Sequence, residues 1–359
     1  MEDKTLNINV PKNELGAISN IKANFPSLAE RSVVGVFVAS NYKANKKYLK
    51  TFLEGMLAGF FVAIGYYVAL YGASKFADAG VQTVLIGAMF PVAILLITFV
   101  GGSLFTTNCL GFTNACVKDV KFNKFFKNLA ICYGGNIVGS LVVFLILLAM
   151  GVLVPYLKDS NGNNAYTDHG AFTQLAADFT LKKIGELGTA LRTGESISAG
   201  LVIGTFFSNF FSGIICNVFV CVTLYITFST KNIAAVVIML WLTIFVFVIS
   251  GTPHCVANLI LFFCNISQSL VVSSGMDSAN ILAQSGQTFL PVETPYLFLG
   301  VNIIPSILGN FIGGGILIPG IVYLIYKDKI QKISKELSSE SIADSAKELV
   351  SKLHSSIAL

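Results

Sequence analysis

The sequence predicts an all-α membrane protein whose six transmembrane helices form two inverted three-helix repeats, with the second and fifth helices broken. Three observations carry this expectation: the segregation of charge, the one-sided distribution of lysine and arginine, and the recurrence of small-residue motifs in two halves of the chain. Of 359 residues, 54% are hydrophobic and 12% charged, about half the charged share of a soluble domain. Asp, Glu, Lys and Arg are absent from 55–74, 79–117, 128–157, 196–230, 232–276 and 294–326. Each stretch reaches the ~20 apolar residues that span a bilayer as a helix. Such a composition excludes a soluble enzyme, a nucleic-acid binder and a disordered chain. The first fifty residues are polar and lack the apolar core of a signal peptide, so insertion is expected to rest on the helices themselves. Seven cysteines lie in or beside apolar segments, where they read as small hydrophobic residues rather than disulfides or metal ligands. No cofactor and no metal site is expected.

The first helix is read over 51–74, with Glu54 one turn from its end and snorkelling to the interface. The second, 83–117, is too long to be straight and contains Gly101-Gly102-Ser103-Leu104-Phe105-Thr106-Thr107-Asn108. The third and fourth are placed at 126–154 and 200–229. The fifth, 233–268, is interrupted by Gly251-Thr252-Pro253-His254-Cys255-Val256-Ala257-Asn258, and the sixth covers 296–326. Polar segments 1–49 and 328–359 flank this transmembrane domain over 50–327, and long outer connections run at about 155–199 and 269–295. With these crossings, 19 of the 24 Lys and Arg fall on one side, which the positive-inside rule makes cytoplasmic. Both termini are then inside, and the plasma membrane is the expected location. Glu336, Glu340, Asp344 and Glu348 recur at helical spacing and read as a solvated face.

Gly101 aligns with Gly251, Leu104 with His254 and Asn108 with Asn258 at an offset of 150 residues. Phe52-x-x-Gly55 likewise pairs with Phe210-x-x-Gly213, and Gly135-Asn136-Ile137-Val138-Gly139 with Gly309-Asn310-Phe311-Ile312-Gly313. An odd number of crossings separates the copies, so they are inverted, as in many channels and transporters. Non-helical backbone at membrane depth survives where protein covers it or where it lines a water-filled cavity, so the two breaks point to a pathway.

His254 is the one histidine in an apolar segment, and an ionisable residue at that depth by default suggests function. The plain alternative is a neutral imidazole bonded between helices. A pKa near neutrality lets it give a passing anion a hydrogen bond or a proton. Leu104 and Phe105 read as an apolar constriction, or as ordinary packing, and Thr106 as a hydroxyl donor beside it. Asn108 and Asn258 are expected to satisfy the backbone groups that the breaks free. Lys182, Lys183 and Arg192 in the outer connection either attract anions to the mouth or are simply solvated. Gly55, Gly59, Gly135, Gly139, Gly309 and Gly313 permit close helix contact.

Together these motifs resemble the formate/nitrite transporter family. The resemblance covers about 50–327 through Gly101-x-x-Leu104-Phe105-Thr106-x-Asn108, Gly134-Gly135-Asn136-Ile137-Val138-Gly139-Ser140, Cys216-Asn217-x-x-Val220-Cys221, His254-Cys255-Val256-Ala257-Asn258 and Asn302-Ile303-Ile304-Pro305-x-x-Leu308-Gly309-Asn310-x-x-Gly313-Gly314. It implies an aquaporin-like fold, a homopentamer with one pore per protomer, and passage of small monovalent anions or weak acids such as formate, nitrite, lactate or hydrosulfide. By matching motif, Leu104, Phe105 and Thr106 belong to the constriction of the second helix and His254 is the central pore histidine, through which transport is proton-coupled.

Three positions depart from the family pattern. Ser103 stands where an acidic residue usually precedes Leu-Phe-Thr, Pro253 where a glutamate usually precedes the histidine, and Leu201 where ungapped counting puts the vestibule lysine. By that count the lysine is absent, unless an insertion brings Lys183 or Arg192 into its place. In the family's usual picture a basic vestibule attracts the anion, and loss of water raises its proton affinity, by up to about 3–5 pKa units for a fully buried carboxyl. The acid then crosses the apolar constriction neutral. If the vestibule charge is missing, the competing expectation is a pore for a neutral solute or another anion; a non-conducting structural or sensor pentamer is a further alternative. An enzyme is not expected, because a lone His254 supplies neither paired carboxylates, nor a nucleophile with its base, nor two axial histidines. The expected partners are the anion or weak acid, the proton, the lipid bilayer and further copies of the chain, with no nucleic acid.

Overall fold

The computed structural model describes residues 27–153, 156–158, 164–166, 168–273 and 293–337. The chain before 27, most of the connection at 269–295, and Glu340, Asp344 and Glu348 lie outside the described residues. Helix α1 (Leu28–Asn45) starts where Ser27 Oγ accepts from Glu30 N, an N-cap that satisfies one of the free amides of a first turn. The first span is α2 (Tyr48–Ala73). The second begins with α3 (Ala79–Met89), capped by Asp78, and α4 (Val92–Val100). After the break come the short α5 (Phe105–Asn108), a 3₁₀ turn at Cys109–Gly111 and α6 (Phe112–Cys116). The third span is α7 (Phe122–Ala149).

The outer connection carries an antiparallel pair, β1 (Tyr156–Lys158) and β2 (Asn164–Tyr166), and then two helices, α8 (Asp168–Lys183) and α9 (Gly185–Thr193). The fourth span is α10 (Ala199–Ser229), the fifth α11 (Ile233–Ile249) and α12 (Asn258–Ser273) about the second break. The last run is α13 (Thr294–Phe298), a π turn at Leu299–Ile303, α14 (Ile304–Phe311), a second π turn at Ile312–Leu317 and α15 (Ile318–Leu337). The last helix continues eleven residues past the expected end at 326. Its final turns leave the apolar run and bury Ile330 and Ile333 against Val33 and Phe37 of α1. Lys329 also pairs with Glu30, and Ser334 donates to Asp119.

The repeated motifs make repeated contacts. Helix α2 lies along α7 as α10 lies along α14, and in both pairs glycines let backbone touch backbone. A Cβ at Gly135 would stand 2.4 Å from Phe52 O and one at Gly309 2.2 Å from Phe210 O. At Gly139 it would stand 2.0 Å from Met56 O, and at Gly313 2.2 Å from Ile214 O. Backbone carbonyls within a helix cannot yield by that much. Gly139→Ala is therefore expected to destabilise by about 1–3 kcal/mol, the range for an overpacked core, whereas Gly134→Ala meets open space and leaves stability unchanged. Thermal unfolding of the two purified variants tests this, and equal melting would refute it.

Candidate functional site

Both breaks open on a glycine with positive φ, +104° at Gly101 and +72° at Gly251, a conformation that costs other L residues a steric clash. The freed backbone is caught in the same way on both sides. Asn136 Oδ1 accepts from Phe105 N at 3.0 Å, and its Nδ2 donates to Gly55 O and Ser103 O at 2.8 and 3.0 Å. Asn310 Oδ1 accepts from Cys255 N at 3.0 Å, and its Nδ2 donates to Gly213 O and Pro253 O at 2.8 and 3.2 Å. The two internal copies thus coincide down to individual hydrogen bonds.

This corrects one expectation. The asparagines of the breaks themselves, Asn108 and Asn258, do not satisfy those backbone groups. Asn108 closes on Ser103 Oγ, and Asn258 Nδ2 donates to Asn302 Oδ1 at 2.7 Å. Each sits past its break on the following turn, so the reach falls to an asparagine on the neighbouring helix. Thiols cover further carbonyls of the first break, Cys132 Sγ on Ser103 O and Cys109 Sγ on Phe105 O, both at 3.2 Å. Ser103 N donates to Glu54 O, and the Glu54 carboxylate is held by Lys46 at 2.7 Å rather than extended alone to the interface. Pro253 brings no N–H that would need a partner.

Between the breaks, Thr106 Oγ1 meets His254 Nε2 at 3.2 Å. His254 Nδ1 lies 3.2 Å from Val256 N and 3.0 Å from Ala257 N. Both neighbours are N–H donors, so Nδ1 is an acceptor without a proton and Nε2 carries the hydrogen of a neutral ring. Nε2–H then donates to Thr106, whose own O–H finds no acceptor among the described residues. The imidazole hydrogen is thus taken up by Thr106 Oγ1, and the Thr106 O–H is the donor left open beside it. Leu104 and Phe105 are buried beside it, with the Phe105 ring edge-on to Tyr133 at 5.1 Å.

A cavity of about 280 Å³ ends on His254. Aromatic rings from four helices line it, Tyr66 of α2, Phe90 at the α3–α4 junction, Phe179 of α8 and Phe247 of α11, together with Lys182, Lys183 and Asn258. Phe90 packs edge-on to Tyr66 at 5.4 Å, and Phe247 lies 5.8 Å from the imidazole. Lys183 Nζ donates to Gly251 O and Thr252 O at 2.9 and 3.3 Å, which leaves one of its three N–H groups for the cavity. Burial pushes its ammonium down to about 8, with the Lys182 charge adding to the fall against the opposing effect of Cys216. Arg192 is not brought to the cavity; it pairs with Asp178 at 2.5 Å on the outer helices. Leu201 lies in the first turn of α10.

Sequence reasoning passed over Lys43. It is half-buried on α1, pushed down to about 8 by burial and by Lys46, and close enough to Cys132, Glu54 and Cys221 to feel them. Cys132 and Cys221 touch the carbonyls of Ser103 and Thr106. Nothing separates Lys43 from its neighbouring lysines in sequence. Among the described residues no group of three or more His, Cys, Asp or Glu side chains could hold a metal ion.

A family model described as formate/nitrite transporter matches residues 31–325. The formate channel FocA of Haemophilus influenzae is 26% identical over 285 residues, 78% of this chain and 87% of that protein. A formate-nitrite transporter of Plasmodium falciparum is 27% identical over 308 residues, 83% of this chain and 85% of that one. Among solved structures, a pentameric formate channel with formate bound aligns at a TM-score of 0.59 and 25% identity, covering 78% of this chain and 98% of that one. An ion channel of the same family, at 19% identity, 82% of this chain, 98% of that one and a TM-score of 0.58, shares the fold.

Proposed function

The chain belongs to the formate/nitrite transporter family, and we propose that it conducts small monovalent weak acids of the formate class across the plasma membrane as a homopentamer with both termini cytoplasmic. The observation that carries this reading is the pairing of a cationic vestibule with a dry pair of donors. Lys183 stands at the edge of the second break and lines the cavity that ends on His254. Its charge draws in the anion. As the anion loses water among Tyr66, Phe90 and Phe247 it takes up a proton from the vestibule water, because burial disfavours the charged carboxylate. The neutral acid then accepts from the Thr106 O–H, takes the His254 Nε2–H over from Thr106, and passes the Leu104–Phe105 constriction to the other side.

In this reading the proton travels on the acid. The two amides that face Nδ1 oppose a second proton on the imidazole, so His254 acts as a fixed donor rather than a relay. Lys183 also supports a weak acid over the competing neutral solute, since the charge that counting to Leu201 made absent is supplied from α8. The relatives are by name a channel and a transporter, and the path described asks of this chain only binding and release.

The test is uptake by proteoliposomes of formate, lactate, nitrite and chloride over a pH series. Flux that tracks the protonated acid supports the reading, and equal chloride flux would sink it. Lys183 adds a second signature. Its ammonium is charged below about 8 and neutral above, so anion capture should fall as pH rises through that value. Arginine stays protonated throughout, so Lys183→Arg is expected to abolish the alkaline fall. Lys183→Gln is expected to show the low capture at every pH, about tenfold below wild type near neutrality, the lower end of electrostatic steering effects. An unchanged pH profile in both variants would remove Lys183 from the vestibule's work.

A further inference from the structure

We propose that the corner where the α1–α2 junction meets the start of α7 binds the headgroup of an anionic phospholipid. Six lysines converge there, Lys46, Lys47 and Lys50 at the junction and Lys121, Lys124 and Lys127 at the start of α7, against the single carboxylate of Glu54. The two elements are joined by contact. Lys124 Nζ donates to Asn45 Oδ1 at 2.6 Å, Lys127 Nζ lies 4.7 Å over the Tyr48 ring, and Asn128 Nδ2 donates to Lys43 O and Thr51 Oγ1.

Lysines that merely fix topology need no set positions, but most of these are held. Glu54 draws Lys46 to 2.7 Å and Lys50 to 4.0 Å, so two ammonium groups share one carboxylate and stand side by side. Lys47 and Lys121 are exposed and make no ion pair or side-chain hydrogen bond among the described residues. The charge is therefore pre-arranged over two elements, which lowers the ordering cost of binding a polyatomic anion. Above this corner Leu49 and Leu53 are 70% and 47% exposed on the first turns of α2. A lipid satisfies both halves of the surface at once: its phosphate meets the lysines and its acyl chains cover the leucines. A soluble anion satisfies only the first.

The experiment titrates the purified, delipidated full chain in neutral detergent with phosphatidylglycerol, phosphatidylcholine or inorganic phosphate, and follows binding by native mass spectrometry and thermal unfolding. Phosphatidylglycerol is expected to bind and stabilise, the other two not. Each lysine near an anionic surface contributes roughly fivefold in binding, so the triple variant Lys47→Gln, Lys121→Gln, Lys124→Gln is expected to bind on the order of a hundredfold more weakly. A triple of equal charge change elsewhere, Lys231→Gln, Lys327→Gln, Lys332→Gln, is expected to bind as wild type. If the first triple does not fold, the single variants carry the same test at about fivefold each. Equal affinity for the two lipids, equal loss in both triples, or protection by inorganic phosphate matching that of the lipid would each overturn the assignment.

Discussion

His254→Leu is expected to abolish transport, whereas His254→Asn is expected to retain flux that still follows the protonated acid. The difference rests on what the imidazole does in the fold. Its Nδ1 accepts from the amides two and three residues on, an arrangement that an asparagine Oδ1 reproduces as an Asx turn. The Asn Nδ2 then remains as a donor near Thr106. Leucine keeps the volume but leaves both amides unpartnered, at about 1–3 kcal/mol each, and removes the donor. A hydrogen bond lost to a solute stripped of water is worth a similar amount, which alone slows passage about ten- to a hundredfold. Asparagine cannot carry a proton across. If the imidazole relays the proton, the asparagine variant will be as inactive as the leucine one, and that result would defeat the donor reading. Formate uptake by proteoliposomes under an inward proton gradient, with pentamer yield as the folding control, gives the answer.

The helices were legible in sequence because lipid demands long uncharged runs, and the breaks because glycine and polar residues within such runs have few other uses. The pairings that hold the breaks were harder. Asn136 and Asn310 stood in the repeated motif beside glycines and read as packing, while Asn108 and Asn258 lay in the broken segments and attracted the role. Sequence proximity misled there because a break frees groups that point sideways, toward the next helix. A lone asparagine between two glycines of an apolar span was the available signal, since glycine brings the neighbouring backbone within reach of its amide.

In the proposed reading Lys183 does the work of the vestibule lysine, a position that counting alone does not reach. Counting from Asn217 without gaps ends on Leu201, but helix α9 and the turn closed by Gly194 lengthen the chain between Lys183 and α10. The turn at Gly185, with φ +53°, ends α8 just after Lys183, so its ammonium caps the carbonyls of Gly251 and Thr252. Arg192, with the same charge on the next helix, is taken up by Asp178. Position relative to that turn, not charge, separates the two.

Asn310→Leu and Asn136→Leu are each expected to cost more stability than any substitution in the cavity. Each asparagine, fully buried, accepts from one amide and donates to one carbonyl of a broken helix, and its second N–H donates to a carbonyl of the adjoining unbroken helix, Gly55 O or Gly213 O. Leucine is nearly isosteric, so no cavity opens, and the loss falls on the freed amide and carbonyl of the break at about 1–3 kcal/mol apiece. That total is a large share of the ~5–15 kcal/mol that holds a typical protein folded, so little pentamer is expected to survive detergent extraction. The main-chain carbonyl of residue 310, which accepts from Asn217 Nδ2 at 2.6 Å while that same amide reaches Thr106 O at 3.0 Å, is kept by leucine. The two variants are therefore expected to lose about equally, Asn136→Leu through the segment that carries Thr106 and Asn310→Leu through the one that carries His254. Size-exclusion chromatography of the two variants beside His254→Asn measures the effect. Both running as stable pentamers would mean that the freed backbone finds water instead, and the two breaks would then be wetter than their hydrogen bonds describe.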